Sequence, residues 1–500
     1  MLRNVGSNWG LTLVTVAATY VLTPFIIRTL GEEGYGTWTL ITALTGYISL
    51  LVLGVPMACV RYLTQHVASG DTRKMNETIG SCAGLYLGLG VVAALAGAGL
   101  LLLFMRYSIP ADLRGEAPLA FGLMVMTVSA GFMGLLPEGV LFAHHDFVGR
   151  NLVRLAGVVL RLGLTIGLLM LEASLVVLAS IQLVCLAFDF CASWLLVRRR
   201  YPAARLALSA FNFAMLRQIF SFSLYVLLLA AGARLSFESA ALVIGAFLGV
   251  GAIAYYVVAN SLVVYLMEFV LAIAAVVSPM ATKLSTEGRI DEVRTMFLKW
   301  SKVALSLTIM AGLFLLVLGP RFIGWWIDPS YEQPSGHVLQ ILVISSLAFL
   351  PVRGVAVPIL MGLGKPRTPA IAFVVAGLVN LGMSALLVGP LGLTGVALGT
   401  AIPNVVFSAI VLAIACRELD MTLSSWARYV LPRAALGAMP VLALLLWFKL
   451  GLQVHSLTGF VAAGLAMMLV FGLIWVGFVY RKDPYVDLRA YRLVRAWGRA

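Results

Sequence analysis

The sequence predicts an all-α polytopic membrane protein, and three observations carry that prediction. Apolar residues make up 61% of the 500-residue chain and charged residues 11%, with a mean hydropathy of +1.01. So little polar surface cannot cover a water-soluble interior. About fourteen apolar stretches, each near the roughly 20 residues a helix needs to cross a hydrocarbon core of about 30 Å, follow one another from Gly10 to Tyr480. Their continuity favours helices over barrel strands, since backbone in lipid must satisfy its own hydrogen bonds. Finally, the two halves of the chain match at a constant offset of 218 residues.

In chain order, Met1-Leu2-Arg3-Asn4 has no small-residue cleavage pattern and reads as an uncleaved start to the first span, 9–28. Span two, 37–60, precedes the polar loop Gly70-Asp71-Thr72-Arg73-Lys74, after which come 81–105, 119–142, 152–171 and 174–197. Arg198, Arg199 and Arg200 then open a basic tether. The second half runs through 219–244, 252–280, 300–320, 337–360, 368–388 and 394–416, its first span interrupted by Arg234 and Glu238. Spans 430–449 and 457–480 have no counterpart in the first half. The expected organisation is an N-terminal six-helix lobe (1–197), a cytoplasmic basic linker (198–218), a C-terminal six-helix lobe (219–416), an appended helix pair (417–480) and a basic cytoplasmic tail (481–500).

Orientation follows from Lys and Arg, which are retained on the cytoplasmic side of short loops. Of 35 such residues, this topology leaves five on the opposite face: Arg28, Arg106, Arg114, Arg321 and Lys449. Both termini are then cytoplasmic, and the net charge of +14 serves topology and attraction to anionic lipids at the cytoplasmic face. No extramembrane segment is long enough to form a nucleic-acid-binding domain. Cys59, Cys82, Cys185, Cys191 and Cys416 lie in or near apolar helix without CxxC spacing, so helix packing is expected rather than a disulfide framework or zinc site. Walker, dinucleotide, GxSxG and HExxH motifs are missing, and His144-His145-Asp146 reads as a solvated loop. Neither a metal nor an organic cofactor is expected.

Under the 218-residue shift, Leu30-Gly31 falls on Leu248-Gly249, Gly36-Thr37-Trp38 on Ala254-Tyr255-Tyr256, and Gly70 on Gly288. Near the same shift, Ala156-Gly157-Val158-Val159 meets Ala376-Gly377-Leu378-Val379. Six spans per half is an even number, so both halves enter the membrane in one direction, as a parallel repeat. Transporters built this way bind near the midplane between the halves and rock one bundle against the other.

The residues Arg3-Asn4, Asn8-Trp9, Thr23-Pro24-Phe25-Ile26-Ile27-Arg28-Thr29-Leu30-Gly31 and Gly34-Tyr35-Gly36-Thr37-Trp38 resemble the start of the bacterial polysaccharide flippases of the MOP exporter superfamily. The span layout and the repeat extend the similarity along the chain. The resemblance implies an inner-membrane protein that moves an undecaprenyl-diphosphate-linked oligosaccharide from the cytoplasmic to the periplasmic leaflet for O-antigen or exopolysaccharide synthesis. It also implies a MATE-like V-shaped, two-lobed fold with a cationic central cavity and, as in several members, coupling to H⁺ or Na⁺. The implied partners are the lipid-linked oligosaccharide and other polysaccharide assembly proteins.

Ionisable residues inside the bilayer test this, since each costs several kcal/mol unless it meets a cavity or a partner. Arg161 lies about ten residues into span five, roughly 15 Å along the helix and near the midplane. Arg234 and Arg353 lie deep in spans seven and ten. Guanidinium forks suit phosphate oxygens, so Arg161, Arg234 and Arg353, with Asn260 and Asn380, are the candidate substrate-binding residues. Each arginine has a structural alternative, in pairing with a buried acid or snorkelling to the interface. Glu238, four residues after Arg234 on one helix face, Glu268 and Asp189 are the candidate ion-coupling carboxylates, whereas Glu138 reads as interfacial. Tyr35, Trp38, Tyr255 and Tyr256 either stack on sugar rings or, the favoured reading, form the interfacial aromatic belt.

Two rival functions stand beside this one. A multidrug exporter on the same architecture moves organic cations, which prefer unpaired carboxylates to arginines. A membrane enzyme such as a polymerase exposes catalytic groups on a sizeable loop, whereas 106–118 and 321–336 are short.

Overall fold

The computed structural model describes residues 2–52, 54–206, 231–236 and 238–486. Every regular element among them is helical, and 11 of these helices are long and apolar enough to cross a membrane. In order they are α1 (Leu2–Ile48), α2 (Val55–Ala68), α3 (Thr72–Phe104), α4 (Ala117–Ala143), α5 (Phe147–Leu171), α6 (Leu175–Arg200), α7 (Ser239–Phe247), α8 (Gly251–Leu271) and α9 (Ala274–Thr286). There follow α10 (Ile290–Trp326), α11 (Glu332–Pro351), α12 (Val357–Gly362), α13 (Arg367–Glu418), α14 (Leu423–Leu450) and α15 (Leu457–Ile474). Half of the seventh expected span (219–230 and 237), with 207–218 of the expected linker and 487–500 of the expected tail, lies outside the described residues. Expected spans one and two meet in α1 at Gly31, and spans eleven and twelve meet in α13 at Gly392; both glycines leave helical geometry.

The repeat is legible in the backbone. Gly31 (φ 71°) and Gly249 (φ 90°) form one 218-residue pair, Gly70 (φ 70°) and Gly288 (φ 73°) another, and all four are left-handed, a conformation glycine takes without strain. A further correspondence has no sequence match behind it. Span two breaks at the 3-10 turn Ser49–Val52 and at Gly54, and 218 residues later span eight breaks at 272–273.

The chain divides into two compact units, Met1–Arg234 with Ile244–Ala254, and Leu235–Val243 with Tyr255–Ala500. In the first, α4, whose one charged residue is Glu138, packs against α1, α2, α3, α5 and α6. Cys59 of α2 and Cys82 of α3 are disulfide-bonded, which corrects the expectation that all five cysteines only pack. They stand at nearly equal distances on either side of the turn at 69–71, a pairing that local spacing rules do not detect.

In the second unit, α14 and α15 pack on each other and both pack on α10. The fastening is a buried ion pair. Lys302 of α10, 1% exposed, binds Asp483, 0% exposed, just beyond α15. Asp483 also accepts hydrogen bonds from the Tyr429 hydroxyl (2.6 Å) and the backbone amides of Tyr485 (3.0 Å) and Val486 (3.1 Å). The Lys302 ammonium donates to the Val479 carbonyl (3.2 Å) and stands 4.6 Å from the centre of the Tyr429 ring. Burial works against the Asp483 carboxylate, but the bonds from Lys302, Tyr429 and Tyr485 outweigh it and hold the carboxyl below its ordinary value. A depressed carboxyl contributes stability above its unfolded value and loses it as pH falls through the lowered folded value, so the clasp is intact at neutral pH and fails in acid.

Replacing one partner strands the other charge. Asp483→Asn should lower stability by about 3–5 kcal/mol, read as a fall in the melting temperature of detergent-solubilised protein, whereas the double replacement Lys302→Met with Asp483→Leu should lose much less.

Candidate functional site

Helix α5 carries three arginines within a described span. Asp146 starts it, accepting from the Gly149 amide (3.0 Å) while Arg200 of α6 holds its other oxygen (2.6 Å). From there Arg150, Arg154, Gly157 and Arg161 recur at steps of four, three and four residues, which places them on one helix face over about 16 Å. Glu138 of α4 meets that face and takes the Arg154 fork with both oxygens, at 3.1 Å and 2.5 Å. The Arg150 guanidinium lies 5.8 Å from the centre of the Phe142 ring, and its buried Nε has no hydrogen-bond partner among the described residues.

Asp189 of α6 meets the same face further along. Its carboxylate rests against Gly157, where an added Cβ would lie 2.3 Å from Oδ1. Arg161, Glu138 and Arg154 are the charged groups that act on it electrostatically. Three cations and two carboxylates thus line one side of α5. Such a face can hold oxygens of a phosphate ester, because guanidinium groups bind them two at a time and stay charged at any physiological pH. Arg161 and Asp189 were legible as candidates in the sequence. Arg150 and Arg154 were not, since Arg150 falls before the expected span 152–171 and Arg154 at its very start; their spacing from Arg161 is the signal that could have found them.

Arg234, in the same unit, donates from Nη2 to Ser49 (3.0 Å), and its carbonyl accepts from Tyr47 (3.4 Å), at the break between α1 and α2. Glu238 belongs to the second unit and lies in a turn before α7. The expected placement of both on one helix face falls partly outside the described residues, which omit residue 237 between them.

In the second unit, Asn380 and Asn260 belong to a polar seam. Asn380 donates to the Ser236 carbonyl (2.9 Å) and accepts from Ser384 (3.3 Å). Ser384 and Thr400 share the Val396 carbonyl, and Thr400 bonds the Tyr256 hydroxyl (3.2 Å). Next to it a cavity of about 10 Å³ is lined by Asn260, Ser345, Ser346, Thr400 and Asn404, room for about one water. Tyr256, 2% exposed, is an interior member of this seam, and Trp38 is buried too, so neither forms the interfacial belt expected of it. Arg353 occupies a π-helical turn, Val352–Ala356, between α11 and α12, its guanidinium 4.7 Å from the Phe373 ring centre and 5.7 Å from that of Phe349. This cation–π setting suits a partly desolvated arginine, and π-turns gather at functional sites. Glu268 is exposed near the end of α8. No cluster of metal-ligating side chains occurs among the described residues.

Comparison with known proteins gives a consistent neighbourhood. Residues 1–285 match the family model described as polysaccharide biosynthesis protein. The uncharacterized membrane protein EpsK of Bacillus subtilis is 23% identical over 420 residues, covering 81% of both chains. Among solved structures, the chain is similar to an inward-facing multidrug resistance MATE family transporter of the MOP superfamily (TM-score 0.66, 17% identity, 82% of this chain and 98% of that one). It is equally similar to the lipid II flippase MurJ in an inward closed conformation (TM-score 0.66, 12% identity, 93% of this chain and 98% of that one).

The bonding of Asn380 predicts a structural cost for its loss. Asn380→Ala leaves the Ser236 carbonyl without its donor and should destabilise the protein by about 1–3 kcal/mol, measured by thermal melting.

Proposed function

Because the chain belongs to the polysaccharide biosynthesis protein family and has the fold of the MOP superfamily of transporters and flippases, we propose that it flips a lipid-diphosphate-linked oligosaccharide from the cytoplasmic to the periplasmic leaflet of the inner membrane. The polymerase alternative falls with that membership. The observation that carries the reading is the arginine face of α5. Arg150 lies one turn inside the helix end that the distribution of Lys and Arg assigns to the cytoplasm, and Arg161 lies near mid-helix. A diphosphate drawn to this face from the cytoplasmic leaflet would find guanidinium groups spaced along its way into the membrane, each lowering the cost of bringing its charge out of water. Exposure of the same face first to one leaflet and then to the other would complete transfer, in the alternating-access manner of two-lobed transporters. Organic cations would instead meet repulsion along α5, which disfavours the drug-exporter reading.

The test is flipping of a fluorescent undecaprenyl-diphosphate oligosaccharide in proteoliposomes. Wild type should flip it, and Arg154→Ala and Arg161→Ala should each slow flipping at least about tenfold, the loss of one charge-assisted bond to phosphate. Unchanged rates in both variants, or export of organic cations with no flipping of such lipids, would overturn the proposal.

A further inference from the structure

The two arms of α13, before and after the bend at Gly392, leave a groove of about 470 Å³ between them. On the first arm Arg367, Ile371, Val375, Val379 and Met383 line it at every fourth residue, which makes the groove about 24 Å long at 1.5 Å per residue. Val406 and Ile410 line it from the second arm, and the small side chains of Ala372 and Ala376 keep its floor low. Ile371, Val375, Val379, Val406 and Ile410 are all exposed, so the groove is open to the bilayer along its length. Its polarity is confined to one end. Arg367 and Thr368, both exposed, form the mouth, on the side of the membrane that the distribution of Lys and Arg assigns to the cytoplasm. The neighbouring carboxylate of Glu418 is taken by Lys365, whereas Arg367 has no ion pair among the described residues. The first turn of α13 has no side-chain cap, and its orphan amides add positive potential at the same end.

A cation and a hydroxyl at the interface, followed by an apolar slot, complement a molecule with an anionic head and a hydrocarbon chain. The length of the slot selects among such molecules. A bilayer with its headgroups is about 40–45 Å thick, so one leaflet is roughly 20–22 Å deep, close to the length of the groove. We infer that the groove holds one anionic glycerophospholipid of the cytoplasmic leaflet, its phosphate at Arg367 and Thr368 and one acyl chain between the arms of α13. The Arg367 guanidinium can take two phosphate oxygens and the Thr368 hydroxyl can donate to another. A zwitterionic choline lipid brings a second cation beside Arg367 and gains less from it. A polyprenyl chain is longer than a leaflet and overruns the groove. Along the slot the acyl chain meets side chains on both flanks and on the floor, where it gathers dispersion contacts that a flat helix face does not offer. The site lies wholly within the second unit and does not depend on what the arginine face of α5 carries.

The full chain is placed in nanodiscs of phosphatidylcholine with a small share of phosphatidylglycerol that bears a photoreactive acyl chain, illuminated, and its labelled peptides are mapped. Label should concentrate in 371–383 and 402–414, saturate as the probe is increased, and be competed by unlabelled phosphatidylglycerol although phosphatidylcholine is in large excess. Arg367→Ala should lower this label about fivefold, the effect of one interfacial cation on an anionic lipid. Arg367→Lys keeps the charge and should retain most of it. Ala372→Phe raises the floor and should remove label from the groove while leaving that on other helices unchanged. Monodisperse elution and a melting temperature near that of wild type establish that a variant is folded; should Ala372→Phe fail to fold, the surface variant Arg367→Ala decides alone. Label spread evenly over the outward faces of the helices and not competed by phosphatidylglycerol would mean bulk lipid contact only and would overturn the inference. Groove label unchanged in Arg367→Ala would overturn it too. Stronger competition by a polyprenyl diphosphate than by phosphatidylglycerol would give the groove to a polyprenyl chain, and crosslinks between two chains at α13 would give it to a second copy; either result contradicts the assignment.

Discussion

A charge inside a hydrocarbon slab needs a counter-charge, an aromatic face or a path to water, and the polar interior of this protein is arranged around that requirement. Lys302 satisfies it through Asp483, with two hydroxyl-bearing rings beside the ammonium. Arg353 satisfies it on the faces of Phe349 and Phe373, and Arg154 with both oxygens of Glu138. Asp189 and Arg150 stand apart, each with a buried atom, Oδ1 and Nε, that has no hydrogen-bond partner among the described residues.

The two units use polar groups differently. The second holds a neutral seam in which the Ser236 carbonyl, Asn380, Ser384, Thr400 and Tyr256 are linked by hydrogen bonds, while the buried Ser236 hydroxyl has no partner among the described residues. Such a network positions helices in lipid, where the alternative is an unsatisfied group. The first unit holds charge in excess on α5, three arginines against two carboxylates. A neutral, hydrogen-bonded seam suits a framework; a surplus of guanidinium suits recognition of an anion.

Much of the helical layout was legible in the sequence, because hydropathy and the 218-residue repeat are local or periodic signals. The glycine pairs Gly31 with Gly249 and Gly70 with Gly288 matched in sequence and proved to share a left-handed backbone. The breaks at Gly54 and at 272–273 escaped notice, since the second has no glycine at the equivalent place. What hydropathy does not encode is which polar residues meet across helices. Lys302 and Asp483 are 181 residues apart, and Arg154 and Glu138 are 16 apart on successive helices that each looked interfacial there. Cys59 and Cys82 join across a turn, 23 residues apart. Tyr256 shows the converse error: an aromatic ring at a predicted span end reads as interfacial until its hydroxyl is seen bonded to Thr400 in the interior.

The central claim is that the arginine face of α5 receives the diphosphate. Its most direct measurement is photocrosslinking in native membranes with a polyprenyl diphosphate that bears a photoreactive group beside the phosphates, followed by peptide mapping. The account predicts label concentrated in Phe147–Leu171 and on the facing residues of α4 and α6, and competed away by unlabelled lipid diphosphate. Competable label confined to the second unit, with α5 unmarked, would contradict it.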